Sequence, residues 1–223
     1  VSAKMGDNIA VRSRHMNWYQ GPTVLDTLAL FKKEQVRSEQ PLRFPLQDVY
    51  KFDARRILAG RITAGRLKVG DHLVFSPSNK TAIVQSIEGF NVDPPSSEAQ
   101  AGQSVGITLD EQIFVERGEI ASHRDSVPLV STVVRVNLFW MGRRPLEKGR
   151  KYTLRLATRE VACEVATIHR IIDTADLAQL QESQSVAKNQ VAEVTLRVKS
   201  PIAFDLSSSF ESTGRFVDRK SVV

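Results

Sequence analysis

A single cysteine, Cys163, stands among 223 residues, so no internal disulfide can form and packing must hold the fold. Its strand-like neighbours make it a buried structural thiol. Aromatic residues are few, 7% of the chain, and no apolar run approaches the roughly 18 residues a helix needs to cross a bilayer, which excludes a helical membrane protein. The opening Val-Ser-Ala-Lys-Met-Gly-Asp has no basic stretch leading into an apolar one, so no secretory signal is expected and a cytoplasmic home is the default. Four histidines, His15, His72, His123 and His169, lie far apart with no cysteine or second histidine at ligand spacing, which leaves zinc without support. No Gly-x-Ser-x-Gly elbow is present to expose a nucleophilic serine. Also missing are a Gly-x-x-x-x-Gly-Lys-Ser/Thr loop, an Asp-x-x-Gly switch and an Asn-Lys-x-Asp base reader. Nothing is therefore expected to hold a nucleoside triphosphate or its magnesium, and no catalytic residues are assigned.

What is present is a basic, soluble composition: 31 Lys and Arg against 25 Asp and Glu, a formal charge of +6, which favours acidic partners. The cations are scattered, at Lys32-Lys33, Arg55-Arg56, Arg143-Arg144 and from Lys148 to Lys151, with no regular interleaving of aromatics. That pattern reads as solvated loops rather than as a nucleic-acid platform.

The hydrophobic period changes along the chain. From Gly21, apolar Val24, Leu25, Leu28 and Phe31 recur at helical spacing with Pro22 near the first turn, which predicts one helix ending in the polar stretch 32–40. Beyond Pro41 short β-type runs take over, at 43–52, 57–63, 72–75, 81–90 and 104–109, divided by turn clusters including Pro-Ser-Asn at 77–79 and Asp-Pro-Pro-Ser-Ser at 93–97. A polar bridge at 123–128 leads to further runs at 129–140, 152–156, 160–172 and 191–198, with a Gln-, Ser- and Ala-rich loop of some helical character at 176–188. Many short strands at regular spacing signal closed barrels, which pair away their edges. The fold class is mainly β, two small closed barrels preceded by one helix. Residues 1–36, 42–123 and 127–223 are the expected domains. The adjacent pairs Trp18-Tyr19 and Trp140-Met141 are either core or interface anchors.

Gly60-Arg-Ile-Thr-Ala-Gly65-Arg-Leu-Lys-Val-Gly70-Asp71, with Ala101-Gly-Gln-Ser-Val-Gly106 after it, resembles domain II of the translational GTPases. Each glycine would permit a tight turn at positive φ, and Ile62, Leu67 and Val69 would face the core. Ser2-Ala3-Lys4, followed by Gly6-Asp7-Asn8, Ser13, Met16, Trp18-Tyr19 and Gly21-Pro22, is similar to the end of the G domain in the class of elongation factor Tu and elongation factor 1-alpha. That resemblance implies that Ser2, Ala3 and Lys4 are the remnant of a guanine-binding loop. Phe44-Pro45-Leu46-Gln47-Asp48-Val49, Asp110-Glu111, Arg117-Gly118, Trp140-Met141, Pro145-Leu146, Gly149 and Tyr152 resemble the large, GTP-binding subunit of sulfate adenylyltransferase. Asn189 to Leu196, Pro201, Asp205 and Thr213-Gly214-Arg215-Phe216 fit the third domain of the same family.

The resemblance implies a parent in which GTP hydrolysis, with magnesium, on a G domain drives adenylyl transfer from ATP to sulfate on a separate small catalytic subunit. This chain would contribute the two barrels, translation-factor domain II-like and elongation-factor domain III-like, and act by docking, with no cofactor of its own. Implied partners are the small catalytic subunit, the G domain and, in fused forms, an adenylylsulfate kinase. The alternative is a translation elongation or release factor, whose barrels would meet tRNA or the ribosome.

Overall fold

The computed structural model describes residues 1–31, 37–52, 55–89, 96–173, 179–181 and 184–218. It divides into two compact units, residues 1–36 and 37–223. In the first, helix α1 (Val24–Ala29) is set by a capping box: the Thr23 side chain accepts from the Asp26 amide, and the Asp26 carboxylate accepts from the Thr23 amide. The helix stops well before the polar stretch and buries none of its own residues; Leu25, Leu28 and Phe31 are exposed.

The second unit opens with strands β1 (Phe44–Phe52), β2 (Arg55–Arg61), β3 (Arg66–Lys68), β4 (His72–Ser76), β5 (Lys80–Glu88), β6 (Glu98–Gln100), β7 (Ser104–Leu109) and β8 (Ile120–His123). Six of them close a barrel in the order β1-β2-β7-β5-β4-β8, with Phe44 opposite Ala121 returning the last strand to the first; β3 and β6 pair separately. Alternation drives it. In β5 the burial runs exposed, exposed, buried, intermediate, buried, so Ala82, Val84 and Ile87 point inward with Phe44, Leu46, Leu58, Leu73, Phe75 and Ile107.

The glycines of this block divide into two kinds, which corrects the expectation that each serves a positive-φ turn. Gly65, Gly70 and Gly102 do adopt φ of +78°, +91° and +91°. Gly60 and Gly106 instead lie inside β2 and β7, where a Cβ would come within 2.4 Å of the Pro45 carbonyl oxygen and 2.5 Å of Ile57. Ile62 and Leu67 are fully buried as expected, but Val69 is 43% exposed. β3 ends at Lys68, so the inward alternation stops one residue before Val69.

The second block comprises β9 (Leu129–Trp140), β10 (Leu146–Glu147), β11 (Lys151–Leu156), β12 (Arg159–Asp173), β13 (Gln179–Gln181), β14 (Ser185–Val186), β15 (Gln190–Phe204), a one-turn helix α2 (Glu211–Gly214) and β16 (Phe216–Asp218). The main sheet runs β16-β11-β12-β15-β9, with β13 on β12, and wraps a second core that includes Val134, Leu154, Cys163, Val165, Val194 and Ile202. Cys163 is buried there, 6% exposed. Among the described residues no pairing joins β16 to β9, so this ladder is not closed by hydrogen bonds. Residues 179–181 and 185–186, expected within a loop of helical character, are strands instead; β12 is 15 residues long and leaves Arg170 to Ile172 for β13 to pair. Residues 176–178 and 182–183 of that expected loop lie outside the described residues, as do 93–95 of the expected turn.

Candidate functional site

Ser2, Ala3 and Lys4 lie on a tight loop in the first unit. Ser2 and Asp7 exchange both backbone hydrogen bonds at 3.1 Å, with Gly6 at φ +78° turning the chain between them. The Asp7 carboxylate accepts from the Ser13 hydroxyl at 2.6 Å. Asn8, only 3% exposed, ties this loop to the start of the helix: its side-chain oxygen accepts from the Ser13 amide at 2.8 Å, and its carbonyl accepts from the Val24 amide at 3.0 Å. Asn8 sits at φ 56°, a left-handed conformation that asparagine tolerates. Thus Gly6, Asp7, Asn8 and Ser13 hold the loop's shape, while Lys4 is exposed. At the start of α1 the Asp26 carboxyl is held below its ordinary range, first by hydrogen bonds from the Thr23 side chain and backbone, then by Arg12.

The tryptophans split between core and surface. Trp18 is 79% exposed and meets Tyr19 edge-on at 6.0 Å. Trp140 is buried, donating from Nε1 to the Arg144 carbonyl at 2.8 Å and lying edge-on to Tyr152 at 5.8 Å, whereas Met141 is 66% exposed. Gly142 lets the chain fold against the indole, because a Cβ there would lie 2.6 Å from it.

Trp140 forms part of the wall of a groove of about 940 Å³ that runs along β9 of the second sheet. Residues of β9 from Val134 to Trp140 line it, together with Tyr152 and Leu154 of β11. Arg143 and Lys188 line it and are exposed.

A polar seam joins the two blocks of the second unit. Arg43, 2% exposed, places Nε and Nη2 on the two Asp205 carboxylate oxygens at 2.8 and 2.9 Å. Its Nη1 donates to the Leu42 and Ser126 carbonyls, the Phe210 ring lies 4.4 Å from the guanidinium carbon, and the Thr213 hydroxyl donates to Asp205 at 2.6 Å. At a second point Arg117 donates to the Gln47 carbonyl at 3.1 Å and, more distantly, to that of Thr158. The sequence placed Asp205 within a family match but gave Arg43 no role. An arginine opening a strand carries no sign of its burial; the signal is the partner 162 residues away.

Among the described residues no group of three or more His, Cys, Asp or Glu is placed to hold a metal. No helix is long and apolar enough to cross a membrane. His123 instead meets Asp71 at 2.9 Å, and His169 meets Thr195 at 2.8 Å.

Comparison with known proteins agrees with this geometry. Residues 133–222 match the family described as GTP-eEF1A C-terminal domain-like. Sulfate adenylyltransferase subunit 1 of Shewanella oneidensis is 35% identical over 222 residues, covering 97% of this chain and 45% of that protein. The bifunctional enzyme NodQ of a Rhizobium species is 32% identical, covering 97% of this chain and 33% of NodQ. The chain thus spans at most about half the length of the curated relatives it matches. A crystal structure of Sup35 complexed with GMPPNP superposes with a TM-score of 0.75 at 22% identity, over 98% of this chain and 54% of that one, a likeness of fold alone. Residues 133–222 are thus similar to the GTP-eEF1A C-terminal domain-like family, in a chain whose relatives along 97% of its length include sulfate adenylyltransferase subunit 1.

Proposed function

We propose that this chain is the barrel region of a GTP-binding sulfate adenylyltransferase subunit, and that it works by docking rather than by catalysis. The observation that carries the reading is the 35% identity to the Shewanella subunit 1 along almost the whole chain. Hydrolysis of GTP, with its magnesium, takes place on a G domain, and the barrels carry the resulting movement to a small catalytic subunit that transfers adenylyl from ATP to sulfate. Sulfate adenylation is steeply uphill, so it needs coupling to a second nucleotide through two conformational states that bind differently. Ser2, Ala3 and Lys4 form the edge of the guanine-binding loop, and the setting is cytoplasmic. The match to a protein named as a bifunctional enzyme supports the further expectation of forms fused to an adenylylsulfate kinase.

Titration of the chain against the small catalytic subunit from the same source, with aminoacyl-tRNA in parallel, tests the reading. Saturable binding to the subunit alone is the expected result. Binding to tRNA alone, falling steeply with salt, would overturn it in favour of a translation factor.

A further inference from the structure

Phe114 is 70% exposed on a loop that holds it in place. Its neighbours account for the exposure: Ile113 packs against the first core and Val115 is buried in it, so the side chain between them stays outside. The loop is pinned at both ends. Asp110 donates its amide to the Ile83 carbonyl at 3.0 Å, and its Oδ1 accepts from the amides of Ile83 at 2.7 Å and Glu111 at 3.0 Å. Further on, Glu119 Oε1 accepts from the Glu116 amide at 3.0 Å, and the Gly118 amide donates to the Leu46 carbonyl at 3.0 Å. The Lys80 ammonium donates to the carbonyl of Phe114 itself. All of these partners belong to the first barrel, whose six strands close on one another.

The start of this loop also lines a pocket of about 180 Å³, whose lining includes apolar Leu58 and Leu109 with Arg55, Arg56, Asp110 and Glu111. Arg56 connects ring and pocket: its guanidinium carbon stands 4.5 Å from the centroid of the Phe114 ring. Stacking occupies the flat face of a guanidinium and leaves free the N–H edge that fits a carboxylate in two-pronged fashion. Among the described residues Arg56 donates no hydrogen bond and pairs with neither Asp110 nor Glu111. We propose that this end of the first barrel is where the small catalytic subunit docks, through a loop that carries an acidic side chain beside an apolar one. The carboxylate enters the pocket onto Arg56, and the apolar neighbour covers Phe114. The inference rests on the docking reading above and adds the surface to it. An aromatic beside an arginine is the composition in which interface energy concentrates, and a loop already fixed loses little further freedom on binding. The formal charge of +6 favours the same acidic occupant.

The full chain and its Phe114→Ala and Arg56→Glu variants are each titrated with the small catalytic subunit from the same source, at low and at high salt. The expected result is saturable binding to the parent, about tenfold weaker in Phe114→Ala. In Arg56→Glu binding should be both weaker and less steeply dependent on salt. Phe114 is exposed, so its variant should keep the parent's melting temperature. Parent-like binding by either variant would overturn the proposal and leave the docking reading standing, whereas no binding by the parent would overturn both. Two further outcomes would overturn it by naming another occupant. One is a separately made G domain that binds the parent and loses affinity for Phe114→Ala; the other is self-association in sedimentation that the same variant abolishes.

Discussion

Arg43 and Asp205, 162 positions apart, meet as a two-pronged ion pair in the buried seam between the two β blocks. Two charges out of water are stable only when each is fully matched, and here the guanidinium also reaches two carbonyls while the carboxylate also accepts from Thr213. Removing one partner strands the other. Asp205→Ala is expected to destabilise the chain by about 3–5 kcal/mol in chemical denaturation. Replacing both with apolar residues of similar volume should recover most of that loss, and failure to recover would show that the pair is itself a net source of stability.

Asn8→Ala removes the acceptor for the Ser13 amide and places a residue less suited to φ 56° at the hub of the first unit. Hydrogen exchange at Ser13 and Val24 should accelerate by roughly ten- to a hundredfold, reflecting about 1–3 kcal/mol of lost local stability. Asn8→Gly keeps the backbone freedom and should lose less.

Thr23→Ala deletes the cap of α1 and should cost about 1 kcal/mol of local stability. The same box gives the helix a pH dependence. Since the folded Asp26 carboxyl titrates below its unfolded value, its contribution is present above the unfolded value and disappears as pH falls through the depressed folded one. Protection of the α1 amides, taken relative to their intrinsic exchange rates at each pH, should therefore fall in acid in the parent and respond less to acid in Thr23→Ala.

The two kinds of glycine predict different costs. Gly60→Ala drives a methyl group into the Pro45 carbonyl oxygen and should destabilise the first barrel by about 1–3 kcal/mol, measured by thermal or urea unfolding. At Gly70, where nothing lies within 4 Å of an added Cβ, alanine should cost only the backbone strain of positive φ, about 1 kcal/mol. Equal losses at the two sites would contradict this division.

The long strands were legible because several residues of alternation announce a half-buried ribbon: the runs read at 129–140, 160–172 and 191–198 correspond to β9, β12 and β15. Strands β3, β6, β10, β13 and β14, two or three residues each, are too short to show a period. Their existence depends on which distant strand offers an edge. The Ser2, Asp7 and Asn8 arrangement could be anticipated as a motif but not as a geometry, since its bonds join backbone groups that carry no sequence label. The groove in the second sheet was invisible for a related reason. A buried valine facing a cleft and a buried valine facing another valine are written with the same letter.

The first barrel begins and ends in one place. Phe44 pairs with Ala121, and Arg43 at its entrance holds the carbonyl of Ser126 just past its exit at 2.7 Å. A unit with adjoining ends is portable: it can be excised, exchanged or set into another chain with little rearrangement of what flanks it. The seam at Arg43 is then where such a transplant must be matched, because the arginine travels with the first barrel and its carboxylate stays with the second.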